Sequence, residues 1–217
     1  MPATNAAIWY SADGYEPGKK GINGRRVAGE SFLRGYFAHG DVDEFVSFAH
    51  AQSDHDAFAS LARACNVTRT LRAARLDAPR SLAPVEVVSY PAPIALTELW
   101  RRVPHGAAAW ALCGVTHTTA TRNVMQTLFD MRSAPQMPWD AVICTSKAVQ
   151  SSVRRLMELA EAHLAQRFPG AILPDRPLLP VIPLGIDCAV FDRDPALGAA
   201  LRSRIGAGPG DLVAVTI

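Results

Sequence analysis

The chain has 217 residues, of which 49% are hydrophobic, 7% aromatic and 19% charged. This composition is typical of a globular protein and excludes disorder as a description of the whole. A chain of this length buries about 70% of the surface that its unfolded form exposes, so its core needs no disulfide or metal. Its 22 basic and 20 acidic residues leave a formal net charge of +2, which is too even to predict nucleic acid as a partner.

The sequence carries no targeting or metal-binding signal. No apolar run reaches the roughly 18 residues that a membrane-spanning helix needs, and residues 1–5 lack the charged and apolar regions of a signal peptide. We therefore expect a cytoplasmic protein. The four cysteines form no Cys-x-x-Cys pair, which predicts reduced thiols rather than a zinc site or a disulfide framework.

Short apolar runs alternate with stretches of helical spacing, and this alternation predicts an α/β fold with a parallel sheet covered by helices. A first strand over residues 6–10 leads into a long glycine-rich loop, residues 13–24, and then into an apolar stripe that ends at Gly40. Further strands are predicted over residues 44–49, 85–90, 107–113, 141–144 and 181–182, and a helix over residues 52–63. Residues 66–84 show no clear pattern.

Two helices later in the chain have clear boundaries. The first is predicted from Ser146 to about Arg167, with a hydroxyl at its start and apolar residues every three or four positions. The second combines a capping Asp194, Pro195 at the first helical position and a terminating Gly206. Residues 211–217 have the pattern of a strand, which suggests a fragment that ends inside the first strand of a second domain.

The loop at residues 18–24 is the first candidate for a binding site. A glycine-bearing turn between a first strand and a first helix directs backbone amides toward a phosphate, and the helix dipole favours the same negative charge. Basic residues flank it, namely Lys19, Lys20, Arg25 and Arg26. Its spacing matches neither the dinucleotide fingerprint nor the Lys-bearing phosphate loop, so a solvated turn with a basic rim is the alternative.

His117 is the second candidate because it follows the predicted strand at residues 107–113. Ligands bind at the carboxyl ends of the strands in open parallel sheets, where a histidine can hydrogen-bond a phosphate or a sugar hydroxyl. A loop or capping histidine without a ligand is the alternative. The other histidines are expected at the surface: His39, His50, His55, His105 and His163. No acidic residues have metal-ligand or paired-carboxylate spacing.

Several segments together resemble a known family. Residues 181–187 read Val-Ile-Pro-Leu-Gly-Ile-Asp and are followed by Phe191; the strand and serine turn at residues 141–146 precede them, and the capped helix at residues 194–206 follows. In this order they resemble the N-terminal domain of a GT-B glycosyltransferase of the retaining family 4 group. Leu184 stands where that family usually has Asn, and the first loop lacks the family's adjacent glycines.

The resemblance implies a domain organisation. Residues 1–187 would form an acceptor-side Rossmann-like domain, with helices on both faces of a parallel sheet. Residues 188–217 would form an interdomain linker, a short helix and the first strand of a truncated donor-binding domain. Together they would be the N-terminal half of a GT-B fold.

The resemblance also implies a function. The enzyme would transfer a sugar from a nucleotide-diphosphate sugar to a carbohydrate, lipid or small-molecule acceptor, with retention of configuration, and would need neither a metal nor another cofactor. His117 would be the catalytic residue in the cleft, and Gly21, Asn23, Gly24 and Arg25 would contact the donor phosphate or sugar. This chain alone would be inactive without the C-terminal half.

The basic residues near the first loop are consistent with a peripheral membrane contact or an anionic acceptor, and equally with ordinary solvated charge. A non-catalytic Rossmann-like module that binds a nucleotide or a protein is the alternative function. An NAD-dependent enzyme is disfavoured because the sequence lacks Gly-x-Gly-x-x-Gly after the first strand and an acidic residue after the second. Neither the donor, the acceptor nor the oligomeric state follows from the sequence.

Overall fold

The computed structural model describes residues 5–16, 24–186, 188 and 194–214. The chain divides into two compact units, Met1–Gly185 and Ile186–Ile217. Four free cysteines, Cys65, Cys113, Cys144 and Cys188, are distributed over these units. No helix among the described residues is both long enough and apolar enough to cross a membrane.

The first unit is built on a six-stranded parallel sheet. Its strands are β1 (Ala6–Trp9), β2 (Glu44–Ala49), β3 (Thr70–Arg75), β4 (Val87–Ser89), β5 (Ala111–Val115) and β6 (Ala141–Ile143). They lie side by side in the order β3-β2-β1-β4-β5-β6. Ala7 of β1 pairs with Val46 on one side and Val88 on the other. The strand order therefore reverses between β1 and β4, as in a Rossmann-like sheet, and the predicted fold class is confirmed.

Helices connect the strands. They are α1 (Ala12–Tyr15), α2 (Gly24–His39), α3 (Gln52–Ala64), α4 (Leu96–Arg102), α5 (Arg122–Asp130), α6 (Lys147–Arg167) and, in the second unit, α7 (Pro195–Ile205). Helix α6 begins where the sequence predicts, because the Oγ of Ser146 accepts a hydrogen bond from the Val149 amide at 3.2 Å.

The helices cover both faces of the sheet. Successive residues of a strand point to opposite faces, so the strands contribute side chains to a core on each side. On one face Ile8, Phe45 and Ala49 pack with Leu33 of α2 and Phe58 of α3. The other face carries Ala7, Val46 and Val88, together with residues from α4, α5 and α6: Leu99, Leu128, Val153 and Met157. Two hydrophobic cores therefore separate the helices that follow β1 and β2 from those that follow β4, β5 and β6.

A buried ion pair joins α4 to the segment before β6. The side chains of Arg102 and Asp140 are 1% and 0% exposed, and two hydrogen bonds of 2.5 and 2.8 Å connect them. The same carboxylate accepts the amides of Leu112 at 2.9 Å and Met137 at 2.8 Å. Because Asp140 lies at the amino end of β6 and has all these protein donors, its role is structural.

The structure corrects two predicted strands and assigns one region that the sequence leaves open. The strand predicted over residues 107–113 begins only at Ala111, because Gly106 has φ +98° and Ala109 closes a turn onto its carbonyl. The unassigned residues 66–84 contain β3. Residues 181–182 do not form a full strand, but Val181 makes an isolated parallel bridge to Cys144 beside β6.

In the second unit, α7 is confirmed. The Oδ1 of Asp194 accepts the amides of Ala196 at 2.9 Å and Leu197 at 3.1 Å, and Gly206 ends the helix with φ +68°. The strand predicted over residues 211–217 is wrong for its described part. Residues 211–214 lie in no strand, since no other described segment runs alongside to pair with them, and residues 215–217 lie outside the described residues.

Candidate functional site

A cleft of about 200 Å³ lies at the carboxyl ends of β1 and β4. These neighbouring strands lead into helices on opposite faces of the sheet, and the carboxyl ends of such a pair are where open α/β sheets bind ligands. Residues after β1, residues after β4 and the start of α2 form the walls, among them Trp9, Asp13, Arg25, Tyr90, Pro91 and Glu98. Its position, and the few polar side chains in a mostly apolar lining, make this cleft the candidate site.

Two glycines allow the segments around the cleft to approach closely. A Cβ on Gly14 would lie 2.6 Å from the Cγ of Pro91. A Cβ on Gly29 of α2 would overlap the carbonyl oxygen of Gly14. Any larger side chain at Gly29 would push α2 away, so this glycine places the start of α2, and with it Arg25, beside the cleft.

Asp13 holds both arginines at the start of α2. Its Oδ1 accepts a hydrogen bond from Arg26 at 2.8 Å, and its Oδ2 is bonded to Arg25. Hydrogen bonds from Arg26 and then Arg25 hold the pKa of the Asp13 carboxyl below its usual range. The charge of Arg25 is therefore already engaged, although its side chain is 36% exposed.

Trp9, Tyr90 and Glu98, which we call the aromatic wall, form one side of the cleft. The rings of Trp9 and Tyr90 are 5.8 Å apart. The Tyr90 hydroxyl donates to Oε2 of Glu98 at 3.3 Å, and Arg101 donates to the same oxygen at 2.9 Å. Burial, and then the charge of Glu98, raises the pKa of Tyr90 well above its usual value, so its hydroxyl stays protonated.

The indole nitrogen of Trp9 is buried and has no hydrogen-bond partner among the described residues. An indole N–H can only donate, and burying it without an acceptor is unfavourable. The aromatic wall therefore contains one unsatisfied donor.

His117 follows β5 and lies near the same cleft. Its ring interacts with the backbone of Pro91, and its Nε2 is buried without a partner among the described residues. Burial and the positive charge of Arg25 lower the pKa of His117, while the Pro91 carbonyl opposes them. The ring is therefore neutral near pH 7. With its N–H directed to Pro91, the Nε2 lone pair is left to accept a hydrogen bond.

Comparison with known proteins shows the fold and no more. HepE of Anabaena, whose structure was solved in complex with UDP-glucose, matches with a TM-score of 0.52 and 14% identity over 93% of this chain and 50% of that chain. The chain shares a fold with part of HepE. It spans about half the length of that protein.

A short-chain dehydrogenase from Sphingobium yanoikuyae, solved with NADPH, matches 99% of both chains at 13% identity, with a TM-score of 0.38. That score is too low to support any argument. No protein-family model and no curated protein matches the chain.

The structure brings two of the predicted site residues to one place. Arg25 lines the cleft, and His117 lies close enough to Arg25 for its pKa to respond to that charge. Gly24 is the first residue of α2, with open space around it. Gly21 and Asn23 lie outside the described residues, as do Lys19 and Lys20. The functional roles of all five predicted residues remain predictions.

The sequence analysis missed Trp9, Asp13, Tyr90 and Glu98. Trp9 ends β1 and Tyr90 follows β4, so the rule that led to His117 would also have indicated these two residues. Asp13 and Glu98 carry no local signal, because only the folded chain brings their carboxylates to the cleft. Among the described residues, no three His, Cys, Asp or Glu side chains are grouped so that they could hold a metal ion.

His55 is not at the surface, contrary to expectation. It is 7% exposed in the first turn of α3, where its Nδ1 lies 2.7 Å from the Oγ of Ser47 in β2. Burial lowers the pKa of His55. This residue faces the sheet because α3 packs directly on β2, and it contributes to the fold rather than to the cleft.

A larger groove of about 480 Å³ lies at the opposite end of the strands, next to the amino ends of β4 and β5. Ala83, Val85, Ala108 and Trp139 line it, with Glu86 as its one charged residue. It lacks the convergent polar groups of the cleft between β1 and β4, so its size does not make it the better candidate.

Proposed function

We propose that this chain is the N-terminal half of a nucleotide-sugar-dependent glycosyltransferase, which moves a sugar to a carbohydrate, lipid or small-molecule acceptor. The observation that carries the proposal is the cleft at the strand-order reversal, beside which Arg25 and a neutral His117 lie. The fold shared with HepE, solved with UDP-glucose, supports the same class of ligand.

The start of α2 would face the donor diphosphate. Helix amides and the positive end of the helix dipole favour a phosphate there, and Gly21, Asn23 and Gly24 would allow the backbone to approach it. Arg25 would exchange the Asp13 carboxylate for a phosphate oxygen. It would then stabilise the negative charge that develops on the leaving diphosphate, without a metal.

His117 would contact the transferred sugar. Its neutral ring presents a lone pair at Nε2, which can accept a hydrogen bond from a sugar hydroxyl, whereas a protonated ring could not. Retention of the anomeric configuration belongs to the proposal through the family resemblance.

The roles of the two parts of the chain in ligand binding follow from the same resemblance. Residues 1–187 would bind the acceptor, and residues 188–217 would lead into a donor-binding domain that completes the site. We place the reaction in the cytoplasm. The 217-residue chain would bind ligands without turning them over.

The test is a panel of UDP-, GDP- and ADP-sugars offered to the complete gene product, with donor hydrolysis and the melting temperature as readouts. One donor should raise the melting temperature and be consumed. His117→Ala and Arg25→Gln should each slow turnover by about tenfold to a hundredfold, since each removes a polar contact to the donor. Arg34→Gln is the matched control, because Arg34 lies on the same helix and pairs with Glu30.

A folded full-length protein that responds to none of these donors would contradict the proposal. That result would favour a non-catalytic Rossmann-like module that binds a nucleotide or a protein. Unchanged turnover in His117→Ala would remove His117 from the site while leaving the enzyme class in place.

A further inference from the structure

We propose that the buried contact between His55 and Ser47 is a pH-sensitive switch, in which addition of a proton to His55 releases the first turn of α3, residues 52–55, from β2. The inference is independent of the proposed sugar transfer, because it concerns how a helix is held on the sheet. It gives a role to a histidine that the sequence predicts at the surface.

The contact joins the start of a helix to an inner strand, since β2 lies between β1 and β3. Ser47 is 3% exposed and His55 is 7% exposed. The Oγ of Ser47 lies 2.7 Å from Nδ1 of His55 and 3.5 Å from the carbonyl oxygen of Arg72 in β3. A hydroxyl donates one hydrogen bond and accepts others, so Ser47 can accept from Nδ1–H while it donates toward Arg72.

The other ring nitrogen of His55 determines what a second proton does. Nε2 is buried, and no described residue hydrogen-bonds to it. In a neutral ring with a hydrogen on Nδ1, Nε2 is a lone pair, whereas in the protonated ring it is an N–H that shares the positive charge. A charged donor that is buried without an acceptor costs more than a neutral one. The protonated ring is therefore stable only where Nε2 reaches water, which requires the first turn of α3 to move.

The charged groups around the histidine ring offset this cost only in part. Burial is the strongest influence and lowers the pKa of the ring. Asp54 and Asp56 on the same helix favour the charged form, and Arg75 of β3 opposes it. Glu44 of β2 is paired with Arg72 of β3 at 2.8 Å. The ring also lies in the first turn of a helix, where the positive end of the dipole disfavours a cation.

The first turn of α3 has few other contacts that hold it on the sheet. Ala51, at the N-cap position, makes no side-chain cap hydrogen bond. Gln52 is bonded to Asp56 at 2.9 Å, but both are exposed. Over residues 51–57, all of which the structure describes, His55 is the only buried one. Moving this turn therefore exposes little apolar surface.

Release of this turn should reach the segment behind the cleft. Phe58 of α3 packs edge-on against Tyr10, with ring centroids 5.7 Å apart, and Tyr10 stacks on Tyr15 at 5.1 Å. Gly14, which precedes Tyr15, lines the cleft. We therefore expect the turn after β1, residues 12–15, to loosen together with α3.

The experiment measures amide hydrogen exchange of the 217-residue chain between about pH 7.5 and about pH 5.5, corrected for the intrinsic pH dependence of exchange. The amides of residues 56–58 report on the first turn, because their helical acceptors are the carbonyls of residues 52–54. The closed form binds fewer protons than the open form, so a fall in pH favours opening. Opening should increase up to about tenfold for each pH unit below the ordinary histidine pKa of about 6.5. Residues 153–157 of α6 should show no such change.

Variants test whether His55 is the group that takes up the proton. His55→Asn keeps a hydrogen-bonding group near Ser47 but takes up no proton in this range, so the pH dependence should disappear. His50→Asn is the matched control, because His50 is exposed, and this variant should keep the dependence. Ser47→Ala removes the partner of Nδ1 and should increase opening at both ends of the range. An NMR titration of the His55 ring in the wild-type chain is an independent readout if a variant fails to fold.

The inference is overturned if residues 56–58 exchange equally across the pH range, or if His55→Asn retains the wild-type dependence. A His55 ring that titrates at the ordinary histidine value also overturns it, since the closed contact would then accept the proton. Unchanged exchange at residues 12–15 while the first turn of α3 opens would overturn the connection to the cleft.

Discussion

Arg25 lies close enough to His117 to lower its pKa, and burial of the ring acts more strongly in the same direction. The carbonyl of Pro91 opposes both by accepting the ring N–H. The protonation state of His117 is therefore set first by burial and then by two neighbours that line the cleft. A ligand that moves Arg25 would change the basicity of this histidine.

Replacing Arg25 by Gln should raise the pKa of His117, because a positive charge that disfavours the imidazolium is removed. An NMR titration of the His117 ring protons measures this shift, with Arg34→Gln as the control. Because the pKa of His117 is lowered, its neutral form persists below the usual histidine range, and donor turnover should decline only as the pH falls through that lowered pKa. An unchanged pKa in Arg25→Gln would show that burial alone sets it.

His117 and Arg25 were accessible to sequence reasoning because each lies next to a recognisable strand or loop. Asp13 and Glu98 were not, since their places in the cleft depend on helices that fold back over the sheet. His55 was misjudged for a related reason. Its polar stretch indicates a solvated helix face, and nothing in the local sequence reveals that Ser47 lies opposite to it.

At the scale of secondary structure, the contact of α2 with the turn after β1 shapes the cleft. Gly29 of α2 lies against the Gly14 carbonyl, and Gly14 lies against Pro91. The helix, the turn and the segment after β4 therefore form one packed unit. A change at the helix is transmitted directly to the lining.

Gly29→Ala should destabilise the protein by about 1–3 kcal/mol, because the added methyl overlaps backbone that cannot rotate away. Gly35→Ala is the matched control on the same helix, where the methyl meets nothing within 4 Å. It should stabilise the protein by about 0.5–1 kcal/mol through the better helix propensity of alanine. Urea unfolding measures both, and equal effects of the two changes would contradict the packing described here.

Elements with strong periodicity were predictable, and elements defined by pairing were not. β2, α6 and α7 have the predicted bounds to within a residue or two, since apolar spacing and caps mark them. β3 was missed because it is an edge strand with Arg72 and Arg75 in its short sequence and Ala74 as its one buried residue. Residues 211–214 show the converse, because a strand pattern forms no strand without a neighbour.

At the scale of the whole first unit, the Arg102–Asp140 pair ties helix α4, strand β5 and the entry to β6 together. The two partners lie 38 residues apart in the sequence, so no local sequence pattern predicts this ion pair. The carboxylate has four protein donors, and the guanidinium also reaches the carbonyls of Trp110 and Pro135.

Asp140→Asn should cost about 3–5 kcal/mol, because it leaves the buried charge of Arg102 without its counter-ion. The control is Asp77→Asn, which removes the exposed partner of Arg75 and should change the free energy of unfolding little. Chemical denaturation compares them. A small effect at Asp140 would mean that water reaches Arg102 in the folded protein.

The division after Gly185 leads to a further prediction. Both hydrophobic cores lie within the first unit, so a chain that ends at Gly185 should fold cooperatively with a melting temperature close to that of the 217-residue chain. Calorimetry of the two chains checks this. A large drop in melting temperature would show that residues 186–217 contribute to the stability of the first unit.

The strand order has a consequence for how the protein is made. β1 is synthesised first, yet one of its edges pairs with β2, at Ala7 and Val46, and the other with β4, at Ala6 and Val87. At roughly 5–20 residues per second, a ribosome needs about 4–16 seconds to produce the segment between Ala6 and Val87. Through that interval the central strand of the sheet has an open edge, the kind of edge to which other chains can add. Nascent-chain chaperones would therefore matter most for this protein before β4 emerges.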